Sequence, residues 1–145
     1  MIIIPTIDPL DAVQVGLRTL LLGDAALTAL IGESSVWDEP PEDEDFPYVH
    51  IGEATSILDG THSGQGRQVA ETLHSWDKAR TARSVNRIGA RLVAVLDLQA
   101  EAFDAVTSGV TVWMIRHEFS QTLRDPDRTI RHRIDRFRIY TSQEV

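Results

Sequence analysis

The sequence predicts a single α+β domain built on a mostly antiparallel sheet, with helices packed on one face. Apolar residues recur at helical spacing before residue 32 and again between residues 76 and 99, whereas alternating and β-branched runs fill other segments. Only one connection between predicted strands is helical, which argues against a doubly wound parallel sheet. A length of 145 residues is typical of one domain, here residues 1–145.

Two N-terminal helices are predicted within residues 8–31. Each follows an aspartate that can accept hydrogen bonds from the first free N–H groups, and each ends at a glycine. Leucines and valines at spacings of three and four form an apolar stripe on the first helix. The start and stop residues are Asp8 with Pro9 and Gly23 for the first helix, and Asp24 and Gly32 for the second.

Residues 36–141 contain the predicted sheet and one long helix, in the order β, β, β, α, β, β. The helix lies between Trp76 and Gln99, with Asp77 as its cap and a row of arginines beside its apolar stripe. Segments rich in glycine, proline or aspartate form the turns. The strands and turns are "SVW", "FPYVHIGEATSIL" entered through Pro47, the turn "DGTHSGQG", "RQVAETLHSW", a strand from Val110, the turn "RDPDRT" and the return strand "IRHRIDRFRIYT".

Composition and motifs exclude several classes of protein and site. The net charge of −8 argues against a protein that wraps nucleic acid by neutralising phosphates. The chain has no cysteine, which excludes disulfides and thiolate sites, and no glycine-rich phosphate loop follows a strand. No signal peptide or membrane-spanning run is predicted. We expect no catalytic, cofactor-binding or metal-binding residues.

The histidines and tryptophans on strands are expected to be structural. Core packing accounts most simply for the tryptophans, although Trp is also favoured at protein contacts. No two histidines have the i, i+4 or i, i+2 spacing that suits a shared metal ion. The residues concerned are Trp37, Trp76, Trp113, His50, His74, His117 and His132.

Charge is distributed unevenly along the chain. Residues 36–60 contain eight acids and no lysine or arginine, whereas residues 116–138 contain seven arginines against four acids. The last strand has arginines on both faces, which fits an edge of the sheet or a surface covered by a partner that carries acids. Arg131 and Arg133 share one face, and Arg136 and Arg138 the other. The candidate inter-subunit or lumen-facing residues are Asp38, Glu39, Glu42, Asp43, Glu44, Asp45, Arg124, Arg128, Arg131, Arg133, Arg136 and Arg138.

Four blocks cover most of the chain, from about Asp24 to Ile139: "DAALTALIG", "VWDEPPEDEDFPYVHIGE", "TLHSWDKARTARSVNRIGARLVAVL" and "LRDPDRTIRHRIDRFRI". In their order and spacing they resemble the tail-completion family of long-tailed phages. Members of that family act as tail terminators or tail-to-head joining proteins. The resemblance implies a compact α+β fold and no catalytic residues.

The resemblance also implies a place in the virion, at the head-proximal end of the tail. Such proteins form a hexameric ring on the last ring of the tail tube, stop its polymerisation and present a surface to the head connector. The implied partners are further copies of the chain, the tail tube protein and the head-completion or connector protein. Genomic DNA would pass through the lumen without specific binding, and no membrane is involved.

The charge distribution agrees in kind with a ring. Ring contacts are heterologous, so one acidic and one basic flank per subunit would give the same pairing at each interface. An acidic lumen would repel the phosphates of DNA. The acidic segment therefore faces either the next subunit or the passing DNA, and the sequence leaves both possibilities open.

Two other functions also stay open at this stage. A head-closure or connector protein of the same neck has a similar size and no enzyme motif. Its loss would leave unjoined heads with tails of normal length, whereas loss of a terminator would give overlong tubes. The other alternative is a small α+β enzyme or ligand-binding domain that uses Glu53, His74 or His117.

Overall fold

The computed structural model describes residues 7–59 and 65–143. Within these ranges the chain forms a five-stranded sheet and four helices. The predicted turn at residues 59–66 lies largely outside the described residues. The elements are α1 (Pro9–Leu22), α2 (Ala25–Ile31), β1 (Val36–Trp37), β2 (Tyr48–Leu58), β3 (Gln65–Lys78), α3 (Arg83–Leu96), α4 (Ala100–Ala105), β4 (Thr111–Arg124) and β5 (Ile130–Gln143).

The strands lie in the spatial order β1-β2-β3-β5-β4. Only the short β1 pairs in parallel, with β2, and the other three pairings are antiparallel. The hairpin from β4 brings β5 back between β4 and β3, so both sides of β5 are hydrogen-bonded. The expectation that this arginine-rich strand lies at an edge is therefore wrong, and the edges of the sheet are β1 and β4.

The helices pack against one face of the sheet, which confirms the α+β prediction. Side chains of β5 alternate as expected: Phe137 and Ile139 are buried beneath the helices, whereas Arg136 and Arg138 lie on the opposite face. We call that opposite face, which no described helix covers, the open face. The largest buried side chains are Leu17, Leu21, Leu27, Ile51, Leu73, Ile88, Leu92, Leu96, Phe103, Ile115, Phe137 and Ile139.

The two N-terminal helices begin and end at the predicted residues. The Asp8 carboxylate accepts a hydrogen bond from the N–H of Leu10 at 2.9 Å, and that of Asp24 accepts one from Leu27 at 2.9 Å. Gly23 and Gly32 follow the last helical residues. Among the described residues no single helix could cross a membrane. The pair α1 and α2 passes by length and composition alone, but it is bent by 83°.

The helical connection between β3 and β4 differs from the prediction in two ways. Asp77 belongs to β3 and is not the cap of α3, although its carboxylate accepts a hydrogen bond from Ser84 in the first turn of that helix. The residue at the cap position is Ala82, whose side chain makes no capping bond. The second difference is α4, a six-residue helix that buries Phe103 and was not predicted.

The tryptophans do not lie in the core, contrary to the prediction. Trp113 is 52% exposed beside an irregularity in the pairing of β4, and Trp37 and Trp76 are only partly buried. Trp76 instead stacks on His132, with ring centroids 3.7 Å apart. Phe103 and Phe137 are the largest fully buried aromatic residues in the described ranges.

Candidate functional site

The predicted acidic residues lie in one loop, residues 38–47, which joins β1 to β2 and which we call the acidic loop. All of its carboxylates are exposed except Glu44, which is half-buried. Within the described residues none of these carboxylates lies in an ion pair with a lysine, arginine or histidine. The acidic residues are Asp38, Glu39, Glu42, Asp43, Glu44 and Asp45.

The acidic loop is held at both ends by the sheet. At its start, β1 pairs with β2, and the N–H of Val49 donates to the carbonyl of Ser35 at 2.9 Å. Within the loop, the N–H of Glu44 donates to the carbonyl of Pro41 at 3.1 Å, which closes a turn. At its end, the Phe46 ring lies 5.4 Å from that of Tyr48. The contiguous charges are thus presented from a fixed position.

A buried carboxyl group lies on β3, directly opposite Ala54 of β2. Glu71 is 2% exposed, and its Oε2 has no hydrogen-bond partner in the described part of the chain. Burial raises its pKa to about 8, with smaller contributions from the negative charges of Asp38 and Glu53. The side chain is therefore neutral near pH 7, and no cation within residues 7–59 and 65–143 forms an ion pair that offsets its burial.

The predicted arginines do not form one surface, because three of them are paired inside the subunit. Arg133 lies on the helix-covered face and binds the fully buried carboxylate of Asp135 through two hydrogen bonds of 2.9 Å. His117 Nε2 contacts the same carboxylate at 3.0 Å. This network fits under α3 because residue 89 is glycine, since a Cβ there would collide with the Arg133 guanidinium.

The other two paired arginines lie on the open face. Arg138 and Arg136 both contact the carboxylate of Glu118 on β4, and the Arg136 Nε lies 3.8 Å from it. Arg138 also donates to the side-chain oxygen of Gln68 at 3.2 Å. The hydrogen bond to Glu118 raises the pKa of Arg138 above its ordinary value. One carboxylate thus serves two arginines, so the group keeps a net positive charge on the open face.

The remaining predicted arginines lie at the far end of the β4–β5 hairpin. Arg124 ends β4 and Arg128 lies in the following turn; both are exposed, and no described carboxylate forms an ion pair with either. Arg131 donates from its guanidinium to the backbone carbonyls of Ala79 and Arg80. A cleft of about 400 Å³ separates this hairpin end from the start of α3. We call it the arginine cleft; its lining is Arg80, Thr81, Ala82, Thr122, Leu123, Arg124 and Arg131.

The acidic loop and the arginine cleft lie at the same end of the sheet but on opposite flanks. Tyr48 of β2 pairs with Trp76, which pairs with His132, which pairs with Leu123 of β4. One row of residues thus runs from the end of the loop to the cleft. It crosses three strand spacings of about 4.8 Å each, or roughly 14 Å. The subunit therefore has a negative flank at its β1 edge and a positive flank at its β4 edge.

Sequence spacing did not reveal a histidine group on the open face. His74 Nδ1 lies 2.7 Å from His132 Nε2, and His74 Nε2 lies 3.3 Å from the Glu53 carboxylate. His50 is directly opposite His74 across β2 and β3, with ring centroids 5.5 Å apart. Burial lowers the pKa of His132 to about 4, and the neighbouring His74 adds to this effect. Predicting this group would have required the register of β2, β3 and β5.

The residues named for the enzyme alternative lie in two separate networks. His117 contacts the buried Asp135, whereas Glu53 and His74 lie with His132 on the open face. Within residues 7–59 and 65–143 no group of three or more histidine and carboxylate side chains could hold a metal ion. Both networks consist of side chains that satisfy one another across strands.

Comparison with known proteins identifies the family of the chain. The family model described as Tail completion protein gp17 matches residues 15–142. No curated protein matches the chain. Among solved structures, a chain from a "Virion of native gene transfer agent (GTA) particle" has a similar fold. The TM-score is 0.77 at 20% sequence identity, over 87% of this chain and 91% of that one. The family match extends over most of the chain, which therefore belongs to the tail completion protein gp17 family and is a structural component of a virion tail, not an enzyme.

Proposed function

We propose that the protein is a tail terminator of a long-tailed particle. In this proposal, six copies form a ring on the last ring of the tail tube, stop its polymerisation and provide the surface to which the head is joined. The partners are neighbouring copies, the tail tube protein and the head-completion or connector protein. Genomic DNA passes through the lumen without specific binding.

The observation that best supports a ring is the pair of oppositely charged flanks. The acidic loop leaves the sheet at the β1 edge, and the arginine cleft lies between the start of α3 and the opposite edge strand, β4. A ring repeats one heterologous contact, so each subunit must present two different, complementary surfaces. Opposite charges on opposite flanks meet that requirement and fix the orientation of each copy.

Other parts of the proposal have separate support. The number six follows the resemblance to tail terminators. The net charge of −8 supports passage of DNA, because a negative protein does not retain phosphates. The place in a particle is supported by the family and by the fold similarity to a chain of the gene transfer agent virion.

The direct test is to make particles without this protein and to measure their tails by electron microscopy. We expect tail tubes longer than normal that lack heads, with normal length restored when the wild-type protein is supplied. Unjoined heads beside tails of normal length would contradict the proposal. That result would instead assign the protein to head closure in the same neck.

A further inference from the structure

We infer that the arginine cleft of each subunit receives the acidic loop of the next copy of this chain, so that the loop faces a neighbour and not the lumen. This inference rests on the proposed ring. It names the contact that closes the ring, and it adds Arg80 to the residues expected from the sequence.

Three arginines line the cleft, and none of them forms an ion pair with a described carboxylate, although Asp125 and Asp127 lie in the adjoining turn. Arg124 and Arg131 are directly opposite each other on β4 and β5, an arrangement in which like charges repel. Arg80 approaches from the segment before α3, and the lining contains no carboxylate. Arg133 lies nearby but differs, because the buried carboxylate of Asp135 compensates its charge within the subunit. An anionic partner would relieve the repulsion in the cleft.

The loop has the corresponding excess of negative charge. Residues 42–45 are four consecutive acids, and two prolines precede them while a third follows at residue 47. Prolines restrict the backbone, so little conformational entropy is lost when the loop enters a partner. Guanidinium groups bind carboxylates through paired hydrogen bonds, which suits a cleft lined by arginine and not by lysine.

The loop does not line the cleft of its own subunit. The two features are at the same level of the sheet, but the width of the sheet separates them. Rotation about an axis that runs roughly along the strands would bring the β1 edge of one copy against the β4 edge of the next. Because the loop and the cleft lie at the same height along the strands, the loop of one copy would then meet the cleft of the next.

Nucleic acid is the competing occupant of an arginine-lined cleft. Two features favour a second copy. The net charge of −8 opposes the approach of a polyanion, and the complementary acidic segment is present in every copy at the matching level.

Paired cysteines test the contact cleanly, because the chain contains no cysteine of its own. Pro41→Cys places a thiol in the loop, and Thr122→Cys places one in the cleft; both positions are exposed and uncharged. The matched control combines Pro41→Cys with Thr111→Cys, an exposed threonine at the other end of β4. Each pair is oxidised on assembled tails and separated by denaturing electrophoresis without reductant.

We expect a ladder of linked subunits up to a closed ring for the pair with Thr122→Cys, and none for the control pair. Reversing Asp43 and Glu44 to arginine should abolish the ladder. Reversing Arg80 and Arg124 to glutamate in the same chain should restore it. Thermal unfolding of the isolated variants serves as the folding control, since all the changed side chains are exposed or half-buried.

The possible failures can be told apart. A ring seen at the tail end without a ladder, or with equal ladders for both pairs, overturns the contact and leaves the proposed function intact. The absence of any ring at the tail end overturns the proposed function itself. Wild-type protein that retains DNA on a filter, and loses it when Arg80 and Arg124 are reversed, would assign the cleft to nucleic acid and also overturn the inference.

Discussion

The two halves of the β4–β5 hairpin use arginine in opposite ways. Away from its turn, Arg133, Arg136 and Arg138 each contact a carboxylate of the same subunit. At the far end, Arg124 and Arg128 form no ion pair with any described carboxylate. The arginines of this stretch are thus divided between contacts within the fold and a surface that is available to a partner.

Substitutions in the two halves should also have different effects on the free energy of unfolding. Removing one member of a buried ion pair leaves an uncompensated charge, which costs several kcal/mol. Exposed charges contribute about 0 to 1 kcal/mol each, because water and salt screen them. Substitutions at the buried Arg133–Asp135 pair should therefore change stability, whereas substitutions at the exposed Arg124 and Arg128 should change assembly alone.

The largest expected effect comes from the buried carboxylate of Asp135. Asp135→Ala leaves Arg133 buried without its partner, and we expect a loss of about 3 to 5 kcal/mol in the free energy of unfolding. Urea unfolding followed by circular dichroism measures it. The matched control is Arg124→Ala, for which we expect a change within about 0.5 kcal/mol. Equal effects of the two substitutions would remove the distinction between the halves.

The stability of the fold should depend on pH because of Glu71, whose buried carboxyl group forms no ion pair with a described cation. Its pKa of about 8 in the folded state exceeds the ordinary value of 4.5, so the folded state retains a proton that the unfolded state releases. Stability should therefore fall as the pH rises from about 4.5 to about 8. Glu71→Gln should remove this fall.

Unfolding of wild type and Glu71→Gln at several pH values tests this prediction. At pH 8.5 we expect the variant to be more stable by a few kcal/mol, and near pH 4 we expect the two proteins to agree. Glu118→Gln is the control, because Glu118 has arginine partners and its substitution should not produce this gain at high pH. A wild-type stability that does not change with pH would contradict the assignment.

The smallest of these effects concerns Arg91, another arginine that is paired within the subunit. Its guanidinium binds the carboxylate of Asp24 at 2.7 and 2.8 Å, and the same carboxylate caps α2. Asp24→Ala removes both interactions and should cost about 1 to 2 kcal/mol. Asp8→Ala removes only the cap of α1 and should cost about 1 kcal/mol or less.

The pH dependence of this difference identifies the ion pair. The hydrogen bond from Arg91 lowers the pKa of Asp24 in the folded state. The stabilisation is therefore present above the ordinary aspartate pKa and is lost as the pH falls through the lower, folded value. Urea unfolding at pH 7 and pH 3 should show the cost of Asp24→Ala shrinking in acid. A larger cost for Asp8→Ala at pH 7 would mean that the ion pair contributes nothing.

Local signals in the sequence were sufficient to predict most of the helices and strands of the fold. Caps, stops and apolar spacing predicted α1, α2 and the five strands, because each signal acts within a few residues. The helix α4 has only six residues and no capping side chain, so such a signal was missing. Asp77 was misread as a cap because β3 continues to Lys78, and the paired β5 supports it over that length.

Contacts between distant residues could not be predicted in this way. The pairing of Arg133 beneath α3 depends on Gly89, 44 residues earlier in the chain, and on the burial of Asp135. The histidine group depends on the register of three strands. The sequence predicted which charged residues are candidates for the two flanks. It could not predict which arginines are paired within the subunit, because that depends on the strand order, and an edge strand and an interior strand have the same sequence pattern.

Electron cryomicroscopy of the head-proximal tail end would show the contact between subunits. We expect a ring of six copies in which each acidic loop lies in the arginine cleft of the next copy, near Arg80 and Arg124, while Arg133 stays paired with Asp135 inside its own subunit. Acidic loops that project into the lumen beside empty clefts, or Arg133 paired with a carboxylate of a neighbouring copy, would contradict it.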